Sequence, residues 1–176
     1  MNRCLSTPTF LTLLLLAAPL AQADDKKEAT KTETRTESSD EQTLIELVNK
    51  ERAKAKLPPL RPNPILSRVA RGHSANMAKQ GKMEHVLDGK DPGDRVLAAG
   101  YDWGKVSENI AVSEAPGAPL PQIVKEWMKS ETHRKNLLSD RVTETGLGIA
   151  KNSKGEVYYT QLFARPRKVI KKPKQG

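Results

Sequence analysis

The sequence predicts an α+β domain, with helices layered on a small antiparallel sheet. Three observations carry this reading. Apolar residues recur at helical spacing in separate stretches between Leu44 and Leu138. The segment "VSENIAVS", residues 106–113, alternates as a strand does. The segment "TGLGIAKNSKGEVYYTQLFAR", residues 145–165, reads as a hairpin around a short polar turn.

The elements follow in order. Residues 24–42 mix charges of both signs with almost no apolar side chain. They cannot bury enough surface to order themselves, so they read as a disordered spacer and the domain starts near Thr43. In "LIELVNKERAKAKL", Leu44, Leu47 and Val48, with Glu51 and Ala55 later, line one side of a helix of about four turns. "PPLRPNP" breaks it. In "ILSRVARGHSANMAKQGKMEH", Leu66, Val69, Ala70, His73 and Met77 recur at helical spacing, and Gly81 supplies an end. "DPGDRVLAAGYDW" is a turn and a short helix ending at Gly100. After the strand at 106–113, the loop "EAPGAPLP" leads to a helix over 121–138, broken near Ser130. In the hairpin, Leu147 and Ile149 mark the first strand, Asn152–Gly155 the turn and Val157–Ala164 the return.

The ends of the chain are different in kind. Arg3, the apolar run "FLTLLLLAAPLA" and the small-x-small site "AQA" ending at Ala23 read as a signal peptide over residues 1–23. The expected location is therefore secreted, periplasmic or in the cell envelope. Cys4 is the sole cysteine and precedes the apolar run, so cleavage leaves no disulfide and no cysteine nucleophile. The net charge of +9 is concentrated at the ends: six excess cations lie in residues 165–176 and one is Arg3, so residues 24–164 carry +2. The folded part thus has no charge signature of a nucleic-acid surface. The tail, residues 165–176, reads as a basic disordered segment able to meet an anionic envelope surface.

No HExxH, GxSxG, Walker or GxGxxG signature is present. Three histidines and a few acids near element ends remain. His73 falls on the apolar face of its helix, where a histidine is more often a core or boundary residue. His85 follows the helix end at Gly81, in a loop where a side chain can face a cleft. Glu108 sits inside an apolar strand, which is costly unless it is paired or faces a polar cleft. His133 lies beside the expected helix break, three residues from Ser130. Ser130 and His133 could face each other across one turn, but spacing alone is too weak a signal to claim a Ser–His pair.

"ANMAKQGKMEH", "SENIAV", "VKEWMKSETHRKNLL", "TGLGIA" and "YYTQLFA" occur in an order and spacing that resemble the bacterial single-domain branch of the CAP superfamily, covering residues 43–164. That superfamily is named for cysteine-rich secretory proteins, antigen 5 and pathogenesis-related proteins, and its domain is also called SCP-like. The resemblance implies a three-layer α-β-α sandwich and a cleft built on histidines and acids. His85 matches the first histidine, and Glu108 the acid of a "GEN" motif whose glycine is here Ser107. Eukaryotic members carry a second acid where this chain has Ser130, and a second histidine where it has Tyr158. "SETHRKNLL" resembles a bacterial motif that makes His133 the second histidine.

The resemblance therefore implies a cleft of His85, Glu108, Ser130 and His133. His85, Glu108 and His133 are a chemically sufficient set for a divalent metal such as zinc. The alternative is a hydrogen-bonded network in which Glu108 fixes the histidine tautomers. Three functions stay open: a secreted module binding a lipid, glycan or peptide; a metal- or histidine-dependent hydrolase; and an envelope or stress protein with a vestigial cleft. The absent second acid argues for binding over catalysis, and a monomer is expected.

Overall fold

The computed structural model describes residues 38–114 and 117–168. The signal-peptide reading, most of the spacer and the end of the basic tail lie outside the described residues. The elements are α1 (Ser39–Lys54), β1 (Arg61–Pro62), α2 (Pro64–Gln80), α3 (Pro92–Ala98), β2 (Trp103–Ser113), α4 (Leu120–Lys129), α5 (Glu131–Leu137), β3 (Glu144–Lys151) and β4 (Val157–Pro166). The strands form one sheet in the order β1-β3-β4-β2.

The side-chain alternation of β4 divides the core in two. Tyr159 and Phe163 join Leu44, Ile45 and Val48 of α1 and Ile123, Val124 and Trp127 of α4. Leu162 and Ala164, on the other face, join Leu66 and Ala70 of α2 and Val96 of α3. Tyr158 meets Met77, Leu87 and Ile110 on that same face. The result is the expected three layers, helices on both sides of the sheet.

The contact between α2 and β3 explains "TGLGIA". A Cβ on Gly146 would collide with the backbone of Leu66 and Ser67, and one on Gly148 with the backbone of Ala70 and Arg71. Two glycines thus let the helix lie directly on the strand. Asn63 caps α2 by accepting from the amides of Ile65 and Leu66. Gly81 ends it at φ 64°, a left-handed conformation that suits glycine.

Four expectations need correction. The helix α1 starts at Ser39, inside the stretch read as spacer, because Ser38 and Glu41 form a reciprocal capping box. Glu41 is also buried and ion-paired to Arg71 of α2. "PPLRPNP" does break α1, but it also holds β1, which runs parallel to β3 through Arg61↔Glu144 and Pro62↔Thr145. The sheet is therefore mixed, not purely antiparallel. At the other end, β4 extends to Pro166, and Arg167 is held to Asp102 by its amide and its guanidinium. Positions 165–167, read as tail, belong to the sheet and its border. The strand read over 106–113 also begins earlier, at Trp103.

The break at Ser130 is present. Its amide closes α4 on Glu126 O, its extended backbone (φ −77°, ψ 124°) turns the chain, and its carbonyl accepts from Arg134 to start α5. Among the described residues, no helix is long and apolar enough to cross a membrane.

Candidate functional site

Glu108 is the centre of the site. On β2 it alternates toward the face covered by α2 and α3, and its side chain is 1% exposed. A carboxylate so buried must be compensated. His85 lies 2.9 Å away, its Nδ1 on Oε1. Since the carboxylate accepts, this Nδ1 carries the proton. Arg95 of α3 donates from Nη2 to Oε2 at 2.6 Å. Arg95 Nη1 donates to the carbonyls of His85 and Lys90, at 2.9 and 2.8 Å. One guanidinium thus fastens both the carboxylate and the loop that carries His85.

His73 approaches the same carboxylate from α2, with Nε2 3.7 Å from Oε1. Its Nε2 donates to Glu84 O at 3.0 Å, and its Nδ1 is buried without a partner. Burial is the main cause that lowers its pKa; the Glu108 charge opposes that shift and Arg95 adds to it.

His133 comes from the opposite layer, across the free edge of β2. Its α5 helix is fastened to that strand by amide side chains. Asn109 Nδ2 donates to His133 O at 3.1 Å, and Asn136 Nδ2 donates to Glu108 O at 3.2 Å and to Asn109 Oδ1 at 3.0 Å. The imidazole is half-buried. Its pKa is lowered by burial first and by the neighbouring His85 second. The two histidines are thus near enough to interact electrostatically. His85 is the exposed member, at 49%, between exposed Met83 and Val86.

The expected site is thus assembled in part. The structure joins His85 to Glu108 and brings His133 near His85. Ser130 is half-buried at the α4–α5 turn, and its hydroxyl bonds neither histidine, so no Ser–His pair forms. The metal set His85, Glu108 and His133 is not grouped as a set of ligands. Among the described residues, no three His, Cys, Asp or Glu side chains are grouped to hold a metal ion. Arg95 and His85 already take both Glu108 oxygens. An ion bound directly by Glu108 would have to crowd or displace these two partners.

Two members escaped the sequence reading. His73 read as a core histidine, and it is buried, yet it also faces Glu108. A signal was available, because a histidine and a strand carboxylate that both point inward need partners. Arg95 gave no such signal. Its short helix places it through the Asp91–Asp94 capping box, and only the folded loop shows what it binds.

A second concave feature lies on the far layer. Between α1 and α4 is a groove of about 780 Å³ lined by Leu47, Ala53, Pro121, Val124 and Met128, with Lys50, Lys54 and Lys125 around it. Lys54 is paired with Glu51, which also borders the groove.

The family model described as CAP, cysteine-rich secretory protein family, matches residues 45–163. The chain is 33% identical over 130 residues to the protein YkwD of Bacillus subtilis, covering 73% of this chain and 48% of that one. An extracellular protein containing an SCP domain from Bacillus anthracis has a crystal structure similar to this one. The two are 31% identical with a TM-score of 0.62, over 72% of this chain and 40% of that one. NaASP2, solved with Zn2+, shares the fold at 15% identity and a TM-score of 0.52, over 72% of this chain and 80% of that one. The chain spans 48% and 40% of the two curated relatives it matches, about half their length. The matched region runs from the first turns of α1 through β4 and includes His73, His85, Arg95, Glu108 and His133. The chain is a member of the cysteine-rich secretory protein (CAP) family.

Proposed function

We propose that this chain is a secreted ligand-binding module rather than a hydrolase, and that its ligand is an anionic single-chain amphiphile held between α1 and α4. The α1–α4 groove carries this reading. Its floor is apolar, its volume is about 780 Å³, and three lysines stand at its border. Apolar lining with a few convergent charges is the usual character of a small-molecule site. An acyl chain would lie on Val124, Met128 and Leu47, with its acidic head toward Lys50 and Lys125. Export is supported by the leader-like residues 1–23 and by similarity to an extracellular SCP-domain protein.

The hydrolase alternative has less support. Ser130 has no histidine to activate it, so no serine nucleophile with a base beside it stands in the cleft.

Titration with cis-parinaric acid, read by fluorescence, tests the proposal. Saturable binding should weaken with salt, and Met128→Glu or the pair Lys50→Glu/Lys125→Glu should weaken it about tenfold or more. No binding, or binding indifferent to these changes, would remove the groove as the ligand site.

A further inference from the structure

We infer that Arg95 is the built-in counter-cation of Glu108: its guanidinium neutralises the carboxylate and fastens the His85 loop beside it, so Glu108 is not a metal ligand in this chain. The inference is independent of the groove.

The observations are those around Glu108. From α2 comes His73, from the 82–91 loop comes His85, and from α3 comes Arg95. Both imidazole nitrogens nearest the carboxylate are donors. His85 Nδ1–H points to Oε1, and His73 Nε2–H is committed to the carbonyl of Glu84. A metal ligand must offer a lone pair, so neither of these two nitrogens can share an ion with the carboxylate, although a neutral His85 keeps a lone pair on its outward Nε2. A zinc ion on Oε2 would sit about 2 Å from it. Arg95 Nη2 donates to that oxygen at 2.6 Å, with its side chain only 12% exposed. An ion on the remaining lone pair would lie beside this buried guanidinium and be repelled by it.

Arg95 does what a bridging ion does in other sites. It neutralises the buried carboxylate, and it ties the His85 loop to the sheet through the carbonyls of His85 and Lys90. A planar guanidinium with five donors can reach three acceptors at once, which lysine cannot match in the same geometry. Arg95 is therefore a positioning residue that also keeps a divalent ion off Glu108.

The test uses the full chain purified without a metal-affinity tag, stripped by chelator and dialysed against zinc. Retained zinc and the melting temperature are measured for wild type, Glu108→Gln, Arg95→Met and Arg95→Met/Glu108→Gln. Wild type should retain no zinc that depends on Glu108, holding the same amount as Glu108→Gln. Arg95→Met should lose about 10 °C, the expected effect of stranding a buried charge. It should recover part of that loss when zinc is added or when Glu108→Gln removes the stranded charge. Stoichiometric zinc in wild type that is lost in Glu108→Gln would overturn the proposal. So would a double variant no more stable than Arg95→Met, or zinc that stabilises neither wild type nor Arg95→Met. If Arg95→Met does not fold, the wild-type and Glu108→Gln comparison still decides it.

Discussion

Arg52→Met is the change whose cost can best be worked from the structure. Arg52 is 1% exposed, near the end of α1. Its guanidinium faces backbone carbonyls: Nε donates to Pro58 O at 2.9 Å, and Nη1 to Leu137 O and Ser139 O at 2.9 and 2.8 Å. Burial is what lowers its pKa, with Asp140 acting in the other direction. The cation is thus under-compensated by charge and held by backbone dipoles at the C-terminal end of α5, where the helix dipole favours it. Methionine fills a similar volume and removes all three bonds. Hydrogen bonds from a charged group contribute about 1.5–3 kcal/mol each. Two of the carbonyls are only partly buried and can recover water, and losing the buried cation returns some desolvation cost. The net loss should be about 3 kcal/mol, or roughly 10 °C in melting temperature. Urea unfolding followed by circular dichroism gives the stability, and hydrogen exchange gives its location. The amides of α5 should exchange faster while those of α2, on the other layer, follow only the global change. A variant within about 1 kcal/mol of wild type, or one that loosens α2 as much as α5, would refute the assignment of Arg52 as the tie between α1 and α5.

Other changes read out different parts of the fold. Gly148→Ala should cost about 2–4 kcal/mol by denaturant unfolding, since its Cβ meets the backbone of α2 rather than a side chain that can move. Gly72→Ala, in the same helix but with open space at its Cβ, should be neutral or slightly stabilising. His73, held below its ordinary 6.5, refuses in the folded state a proton that the unfolded chain accepts. Stability should therefore be complete above about pH 6.5 and fall as the pH drops below it, and His73→Gln should remove that part of the loss when melting is followed from pH 7.5 to 5. Deleting residues 169–176 removes three lysines, Lys171, Lys172 and Lys174, and should lower retention on vesicles containing anionic lipid in a salt-dependent manner. Unchanged sedimentation with the vesicles would end the anchoring idea.

The long, strongly periodic elements were legible because they obey local rules. The second helix shows its inward face through Leu66, Ala70, His73 and Met77, all buried, and its end through Gly81. The break at Ser130 and the hairpin around Asn152–Gly155 follow from the same kind of signal. What was not legible depends on distant partners. Two residues of β1 carry no periodicity, and they form a strand only because Glu144 and Thr145 lie alongside. The start of α1 was written as Ser38-x-x-Glu41, a readable capping box, but the polar composition before Thr43 outweighed it. Nothing in the sequence around Arg52 or Arg95 points to the carbonyls and carboxylate that hold them in the fold. Within the site, His85, Glu108 and His133 came from motif resemblance, whereas His73 and Arg95 required the fold.

The positions where this chain departs from the two-histidine, two-acid pattern show why its cleft persists without it. Tyr158 stands where a second strand histidine was looked for, and it is 3% exposed among Met77, Leu87 and Ile110. That side of the cleft has become core. Ser130 stands where a second acid was looked for, and its backbone makes the α4–α5 turn that presents His133. What remains is organised by one residue in two directions. The side chain of Glu108 holds the His85 loop through His85 and Arg95, while its carbonyl accepts from Asn136 and so holds α5 with His133. Both histidine-bearing segments are thus referenced to the same point on β2. The hydrogen bonds that shape this cleft are thus supplied by the chain itself, through Glu108, Arg95, Asn109 and Asn136.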